Sequence, residues 1–127
     1  MKVLLDTHTF MWWDSQPGKL SGPVLQVLHD PTNLVFLSVA SVWEIIIKQQ
    51  LGKLALHTTL ATIIAQQQVN GLQILDVTLD HVFSVQSLPP IHKDPFDRLL
   101  IAQAIAESAT LLTVDPIFAQ YQVTVPW

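Results

Sequence analysis

Ten acidic side chains occur in 127 residues, and four of them stand where strongly apolar runs break or end. Asp6 follows Val3-Leu4-Leu5. Glu44 lies inside Val42-Trp43-Glu44-Ile45-Ile46-Ile47. Asp97 precedes Leu99-Leu100-Ile101-Ala102, and Asp115 follows Leu111-Leu112-Thr113-Val114. A carboxylate beside a hydrophobic core is costly unless it is paired, used as a cap or bound to a metal. Four oxygen donors of this kind suit a hard cation, Mg²⁺ or Mn²⁺, which retains waters and is completed by substrate phosphates.

Each acid also has a structural explanation. Asp6 after a strand is a good helix N-cap. Glu44 has Lys48 four residues on, in the favourable orientation for a helix ion pair, yet such a pair contributes only about 0.2–0.5 kcal/mol. Its helical neighbours Ala40, Ile47 and Leu51 are apolar, which sets Glu44 on or beside a buried stripe. Asp97 is in register with Leu100, Ile101, Ala104 and Ile105, the core-facing stripe of an amphipathic helix. It can also be the reciprocal member of a capping box, where Glu or Gln is usual. Asp94 precedes Pro95, the N-cap-then-proline pattern, and can pair with Arg98. Asp115 repeats that pattern with Pro116. Thr113 shares its strand face with Asp115, so its hydroxyl can hold a cation's water. One metal site accounts for all four core-edge acids at once.

Positioning these residues requires alternating strands and helices. Strands are expected at 3–6, 34–37, 73–77, 110–114 and 123–125. Helices are expected at 7–13, 24–28, 38–50 with Ser38 as N-cap and Gly52 as stop, 58–69, 79–87 and 95–107, with a helical turn at 116–120. Pro17-Gly18 and Gly22-Pro23 read as loop. The alternation predicts one α/β domain over 1–127, a three-layer α/β/α sandwich around a mainly parallel sheet of about five strands. Ligands bind at the carboxyl ends of such strands. Asp6 and Asp115 end strands, and Glu44 and Asp97 lie in the opening turns of helices, so a parallel sheet can bring all four to one edge.

The composition is 50% hydrophobic and 13% charged, with a formal charge of −4 and no cysteine. Disulfides and thiolate metal sites are excluded, which suits a reducing cytoplasm. No apolar run spans a bilayer, and Asp6 comes too early for a secretory leader. The negative charge argues against a general nucleic-acid coat protein but leaves room for a metal-dependent nuclease. Trp12-Trp13 can stack on bases, although core or dimer contact is the simpler reading. Trp43 is expected in the core. His8 is expected to orient or pack rather than ligate. His57, His81 and His92 carry no motif.

The segments Leu4-Leu5-Asp6-Thr7-His8, Ser41-Val42-Trp43-Glu44-Ile45 with Lys48 and Gly52-Lys53-Leu54, Asp94-Pro95-Phe96-Asp97-Arg98-Leu99-Leu100-Ile101-Ala102-Gln103-Ala104, and Leu112-Thr113-Val114-Asp115 follow in order. Together they resemble the PIN-domain family, in particular the VapC-type toxins of bacterial toxin–antitoxin pairs. The resemblance covers nearly the whole chain, and the third segment is its most specific part. It implies a Mg²⁺- or Mn²⁺-dependent ribonuclease with an α/β/α fold. Asp6, Glu44, Asp97 and Asp115 match the acidic quartet, with Asp94 an additional acid whose role can exchange with that of Asp97. Thr7 and Thr113 match the hydroxyl positions beside the first and last acids. The resemblance also implies a small cognate antitoxin and a homodimer.

On that reading the cations activate a water for in-line attack on the phosphodiester and stabilise the leaving oxygen. Lys48, Lys93 and Arg98 are candidates for substrate phosphate, although exposed helix charges are usually just solvated. A haloacid-dehalogenase-like phosphatase needs an Asp where His8 stands. A receiver domain needs a late strand-end Lys that is missing. A catalytically silent PIN-like scaffold binding RNA or protein is the remaining alternative.

Overall fold

The computed structural model describes residues 1–90 and 94–113. Four strands are present among them: β1 (Lys2–Leu5), β2 (Leu34–Ser38), β3 (Gln73–Leu75) and β4 (Thr110–Leu112). Six α-helices accompany them: α1 (Thr7–Ser15), α2 (Gly22–His29), α3 (Val39–Gln50), α4 (Leu60–Val69), α5 (Leu79–Ser84) and α6 (Pro95–Ala106). The strands form one parallel sheet in the order β3-β2-β1-β4. The strand expected at 123–125 and the helical turn at 116–120 lie outside the described residues.

Side-chain alternation along the strands builds two cores. Val3, Leu5, Val35, Leu37 and Leu112 face Phe10, Trp13, Val24, Ile45 and Ile63 from α1, α2, α3 and α4. Leu4 and Leu111 face the other way, onto Leu100, Ile101 and Ala104 of α6. Burial on both faces is what near-continuous apolar strands demand. The expected three-layer α/β/α sandwich is therefore present.

Local chemistry sets the helix starts. Ser21, Thr59 and Thr78 cap α2, α4 and α5 through side-chain oxygens. The Gly22-Pro23 pair, expected as loop, is instead the first turn of α2. Proline is tolerated there because that turn's N–H has no helical partner. Pro17–Lys19, likewise expected as loop, is one 3-10 turn. No helix among the described residues is long and apolar enough to cross a membrane.

Candidate active site

The site is set by strand register. Leu5 pairs with Leu37 on one side and with Leu112 on the other. The next residues, Asp6, Ser38 and Thr113, therefore lie abreast at the carboxyl edge of the sheet. The Asp6 N–H extends the ladder by donating to the Leu112 carbonyl at 3.1 Å. Two helices begin directly at this edge, α1 capped by Asp6 and α3 capped by Ser38. The helix α6 leads through a three-residue link into the amino end of the parallel strand β4, so its first turn, with Asp94 and Asp97, is at the carboxyl edge too.

Asp6 is 5% exposed, and each of its oxygens accepts a hydrogen bond. Its Oδ1 accepts from the Thr9 N–H at 2.7 Å, the N-cap bond of α1. Its Oδ2 accepts from the Thr113 hydroxyl at 2.5 Å. Burial pushes the Asp6 carboxyl above its ordinary value; the bonds from Thr113 and Thr9 and the nearby His8 only partly oppose this. The cap reading and the site reading of Asp6 are thus both realised, one on each oxygen.

Glu44 is also buried, at 7%. Its Oε1 accepts from the Thr7 hydroxyl at 2.6 Å, and its Oε2 lies 3.0 Å from Lys48 Nζ. The two threonines expected beside the first and last acids therefore serve crosswise. Thr7 holds Glu44, and Thr113 holds Asp6. Thr9 was not singled out in the sequence. It is fully buried, supplies the cap donor and bonds its hydroxyl to the Leu112 carbonyl at 3.0 Å. A second threonine at i+3 of a strand-ending Asp was the available signal for it.

The buried face of α3 is Ala40, Ser41, Glu44 and Ile45, so Glu44 does lie on a buried stripe with Ala40, while Ile47 is half-buried and Leu51 is exposed. Trp43, expected in the core, is 61% exposed and packs edge-on against Phe96 at 5.3 Å. A one-residue step along a helix turns a side chain by about 100°, so an acid facing inward sends its neighbour outward. Ser41, one turn before Glu44 on the same face, has a buried hydroxyl with no hydrogen-bond partner.

On α6, Asp94 Oδ1 accepts from the N–H groups of Phe96 and Asp97 at 2.9 and 3.0 Å. Asp94 is therefore the cap, as its place before Pro95 predicts. Asp97 is half-buried above Leu100, Ile101 and Ala104, all buried as expected, whereas Ile105 leaves that stripe at 43% exposure. The Arg98 guanidinium donates to the carbonyls of Pro89 and Val85, at 3.1 and 3.2 Å. Asp115, Lys93 and His92 lie outside the described residues.

Among the described residues no three acidic or histidine side chains converge into a ready-made cation cage. The donor set nonetheless fits a hard cation. It consists of buried carboxylate oxygens oriented by hydroxyls, with an orphaned serine hydroxyl on the face that carries Glu44. Asp6, Glu44 and Asp97, with Ser41 in support, are the described residues suited to hold it.

Comparison with known proteins agrees with this architecture. A model of the PIN domain matches residues 3–123. Ribonuclease VapC22 of Mycobacterium tuberculosis (strain ATCC 25618 / H37Rv) is 27% identical over 114 residues, 89% of this chain and 86% of that protein. The VapBC2 structure from Rickettsia felis, bound to a DNA fragment from the promoter, aligns with a TM-score of 0.71. It is 19% identical and covers 98% of this chain and 96% of that one. DNA-bound VapBC from Salmonella typhimurium gives a TM-score of 0.66 at 13% identity, with coverage of 98% and 96%. At these identities the solved structures speak for the fold. The family model spans nearly the whole chain, and with the acids gathered at the carboxyl edge of a parallel sheet it carries the assignment: the chain belongs to the PIN-domain family.

Proposed function

We propose that the chain is a VapC-type toxin, a Mg²⁺- or Mn²⁺-dependent endoribonuclease that acts in the cytoplasm as a homodimer and is inhibited by a small cognate antitoxin. The observation that carries this reading is the pair of buried, hydroxyl-held carboxylates at one sheet edge, Asp6 with Thr113 and Glu44 with Thr7. Neither acid occupies a position that core packing alone would select. The ribonuclease named among the relatives supports the reaction class, and the VapBC assemblies support the antitoxin. The exposed apolar stripe Val39, Trp43 and Ile46 on α3 supports self-association.

When bound, the divalent cation supplies positive charge at the scissile phosphodiester and acidifies a water for in-line attack. Asp6 and Asp97 would hold it directly, and Glu44 and Asp115 would complete the site. Thr113 and Thr7 fix the Asp6 and Glu44 carboxylates, which lowers the cost of organising them when substrate arrives. Asp94 stays on the α6 cap and keeps the first turn, and with it Asp97, in place. Lys48 and Lys93 are assigned to substrate phosphates, whereas the guanidinium of Arg98, the third candidate, already donates to the Pro89 and Val85 carbonyls. Lys48 lies close enough to Glu44 to neutralise it between turnovers.

The test is incubation with short RNAs in Mg²⁺ or Mn²⁺ and again in EDTA. Cleavage that needs the cation and disappears in Asp6→Asn and Asp97→Asn is expected. Full activity in both variants refutes the site.

A further inference from the structure

The first turn of α6, which carries Asp97, is held from three directions. From within, the Asp94 carboxylate caps the Phe96 and Asp97 N–H groups, and the Arg98 N–H donates to the Asp94 carbonyl at 3.0 Å. On one side Phe96 packs edge-on against Trp43 of α3, the neighbour of Glu44, with ring centres 5.3 Å apart. On the other side the half-buried Arg98 reaches the 3-10 turn Val85–Ser87 that continues α5. One terminal guanidinium nitrogen donates to the Val85 carbonyl at 3.2 Å, and the other to the Pro89 carbonyl at 3.1 Å. The same Val85 carbonyl accepts from the Leu88 N–H at 3.2 Å, which closes that turn. Leu88 in turn packs on the core formed by Leu4, Leu100, Ile101 and Leu111. Arg98 is thus tied to a segment that is itself tied to the core.

We infer that Arg98 is a positioning residue for Asp97. Its guanidinium fastens the first turn of α6 to the end of the α5 run and, with the Phe96–Trp43 contact, fixes where the Asp97 carboxylate stands at the sheet edge. The inference rests on the cation-dependent nuclease reading above. Phe96, Asp97 and Arg98 are consecutive, and each step along a helix turns a side chain by about 100°, so the two anchors leave on either side of the acid between them. A guanidinium is a planar fork of donors, so two carbonyls on it set an angle as well as a distance, which the point charge of an ammonium does not. The carbonyl end of a helical run carries partial negative charge and favours a cation there. Both terminal nitrogens are therefore directed at carbonyls of the chain itself, not at a phosphate. Groups that hold a metal-binding side chain in this way typically contribute about 10- to 100-fold to cation affinity or activity.

Arg98→Met keeps an apolar stem and removes the fork, whereas Arg98→Lys keeps the charge without the fork. Three quantities are measured for both variants and the wild type. They are amide hydrogen exchange at Asp97 and Arg98 in EDTA, Mn²⁺ affinity by calorimetry without RNA, and kcat and KM for a short RNA in Mn²⁺. In Arg98→Met, exchange at the two amides should quicken about tenfold. Its Mn²⁺ affinity and kcat should each fall about 10- to 100-fold, with KM within about threefold of the wild type. Arg98→Lys should recover little of this. Thermal melts in EDTA show whether the variants are folded, and if Arg98→Met is not, Arg98→Lys carries the same comparison.

A raised KM in Arg98→Met that Arg98→Lys restores, with Mn²⁺ affinity unchanged, makes Arg98 a phosphate contact and overturns the inference. A lowered Tm with the Mn²⁺ affinity and kcat of the wild type overturns it as well and leaves the nuclease reading intact. Mn²⁺ binding that depends on Arg98, in a wild type that cleaves no RNA, supports the positioning role and overturns the nuclease reading. A wild type that binds no Mn²⁺ overturns both.

Discussion

Replacing Asp6 by Asn should abolish metal-dependent cleavage and at the same time stabilise the metal-free protein. Asn caps a helix as well as Asp does, so the Thr9 N–H keeps its acceptor. The Thr113 hydroxyl can turn and accept from the new amide, so that contact also survives. Two charge-assisted bonds become neutral ones, a loss of about 1 kcal/mol each. Against this, an ionised carboxylate held at 5% exposure carries a desolvation cost of several kcal/mol. The balance favours the amide by about 1–3 kcal/mol, or about 3–5 °C in Tm for each kcal/mol in a chain of this size.

The pH dependence has a definite sign. The folded Asp6 carboxyl is raised by burial, so the folded state binds its proton more tightly than the unfolded state. The contribution of Asp6 to stability is therefore fully present below the unfolded value of about 3.9 and is lost as pH rises from there through the raised folded value. The advantage of Asp6→Asn in EDTA should shrink as pH is lowered toward about 4. Addition of Mg²⁺ at a hundred times its Kd should stabilise the wild type by about 2.7 kcal/mol and leave Asp6→Asn unmoved. Thermal melts in EDTA and in Mg²⁺ across pH measure all of this. A variant less stable than the wild type in EDTA at neutral pH refutes the desolvation argument.

Four further outcomes follow from the same geometry. Thr113→Val leaves the buried Asp6 Oδ2 without its hydroxyl donor and should cost about 1–3 kcal/mol in denaturant unfolding, with Thr113→Ser restoring most of it. Glu44→Gln keeps an acceptor for Thr7 and loses only a pairing to the half-exposed Lys48. Stability should change by under about 1 kcal/mol while RNA cleavage falls at least about tenfold. Asp94→Asn keeps the α6 cap and should retain most activity, whereas Asp97→Asn should not; the reverse order in a cleavage assay would exchange their assigned roles. His81→Leu removes the acceptor of the Thr78 N–H and a partner of Gln103, and should lower unfolding free energy by about 2–4 kcal/mol without altering cation dependence.

His81 also marks where sequence reading stops. It is 3% exposed, and its Nδ1 accepts from the Thr78 N–H while its Nε2 meets Glu107 at 3.1 Å. An acceptor at Nδ1 places the proton on Nε2, donated to the carboxylate. Thr78-x-x-His81 is a capping box with imidazole in the place of Glu or Gln, so the usual pattern does not reveal it. The sheet was legible because Val3-Leu4-Leu5, Leu34–Leu37 and Leu111-Leu112 are apolar on both faces, which helices on two sides explain. Asp94 was legible because Asp-Pro fixes both a cap and a helical φ. The crossed pairing of Thr7 with Glu44 and Thr113 with Asp6 was not. It spans 37 and 107 residues and depends on strand order, which no local pattern encodes. Trp43 faces outward, against expectation, because the run Val42–Ile47 is apolar nearly all round and its inward face is set by the acid rather than by the tryptophan.

The same edge explains how so many carboxylates coexist in a folded chain before any cation arrives. Three helix N-termini, those of α1, α3 and α6, open at the carboxyl edge, and each carries a partial positive charge of about half a unit. Asp6 and Asp94 sit on two of these termini as caps, so part of their negative charge is answered by backbone N–H groups. Glu44, in the second turn of α3, is answered by Lys48 instead. Capping is then not a rival to metal binding but the means by which the acids are held at fixed angles. A cap uses one carboxylate oxygen and orients the other, and at Asp6 that other oxygen is met by the Thr113 hydroxyl, which uses one of its lone pairs and leaves the other for a cation. Phosphate gains from the same field, because helix N-termini favour anions. The sheet edge therefore supports both halves of the proposed reaction, an array of acids for a hard cation and a positive backbone field for the polyanion that the cation must meet.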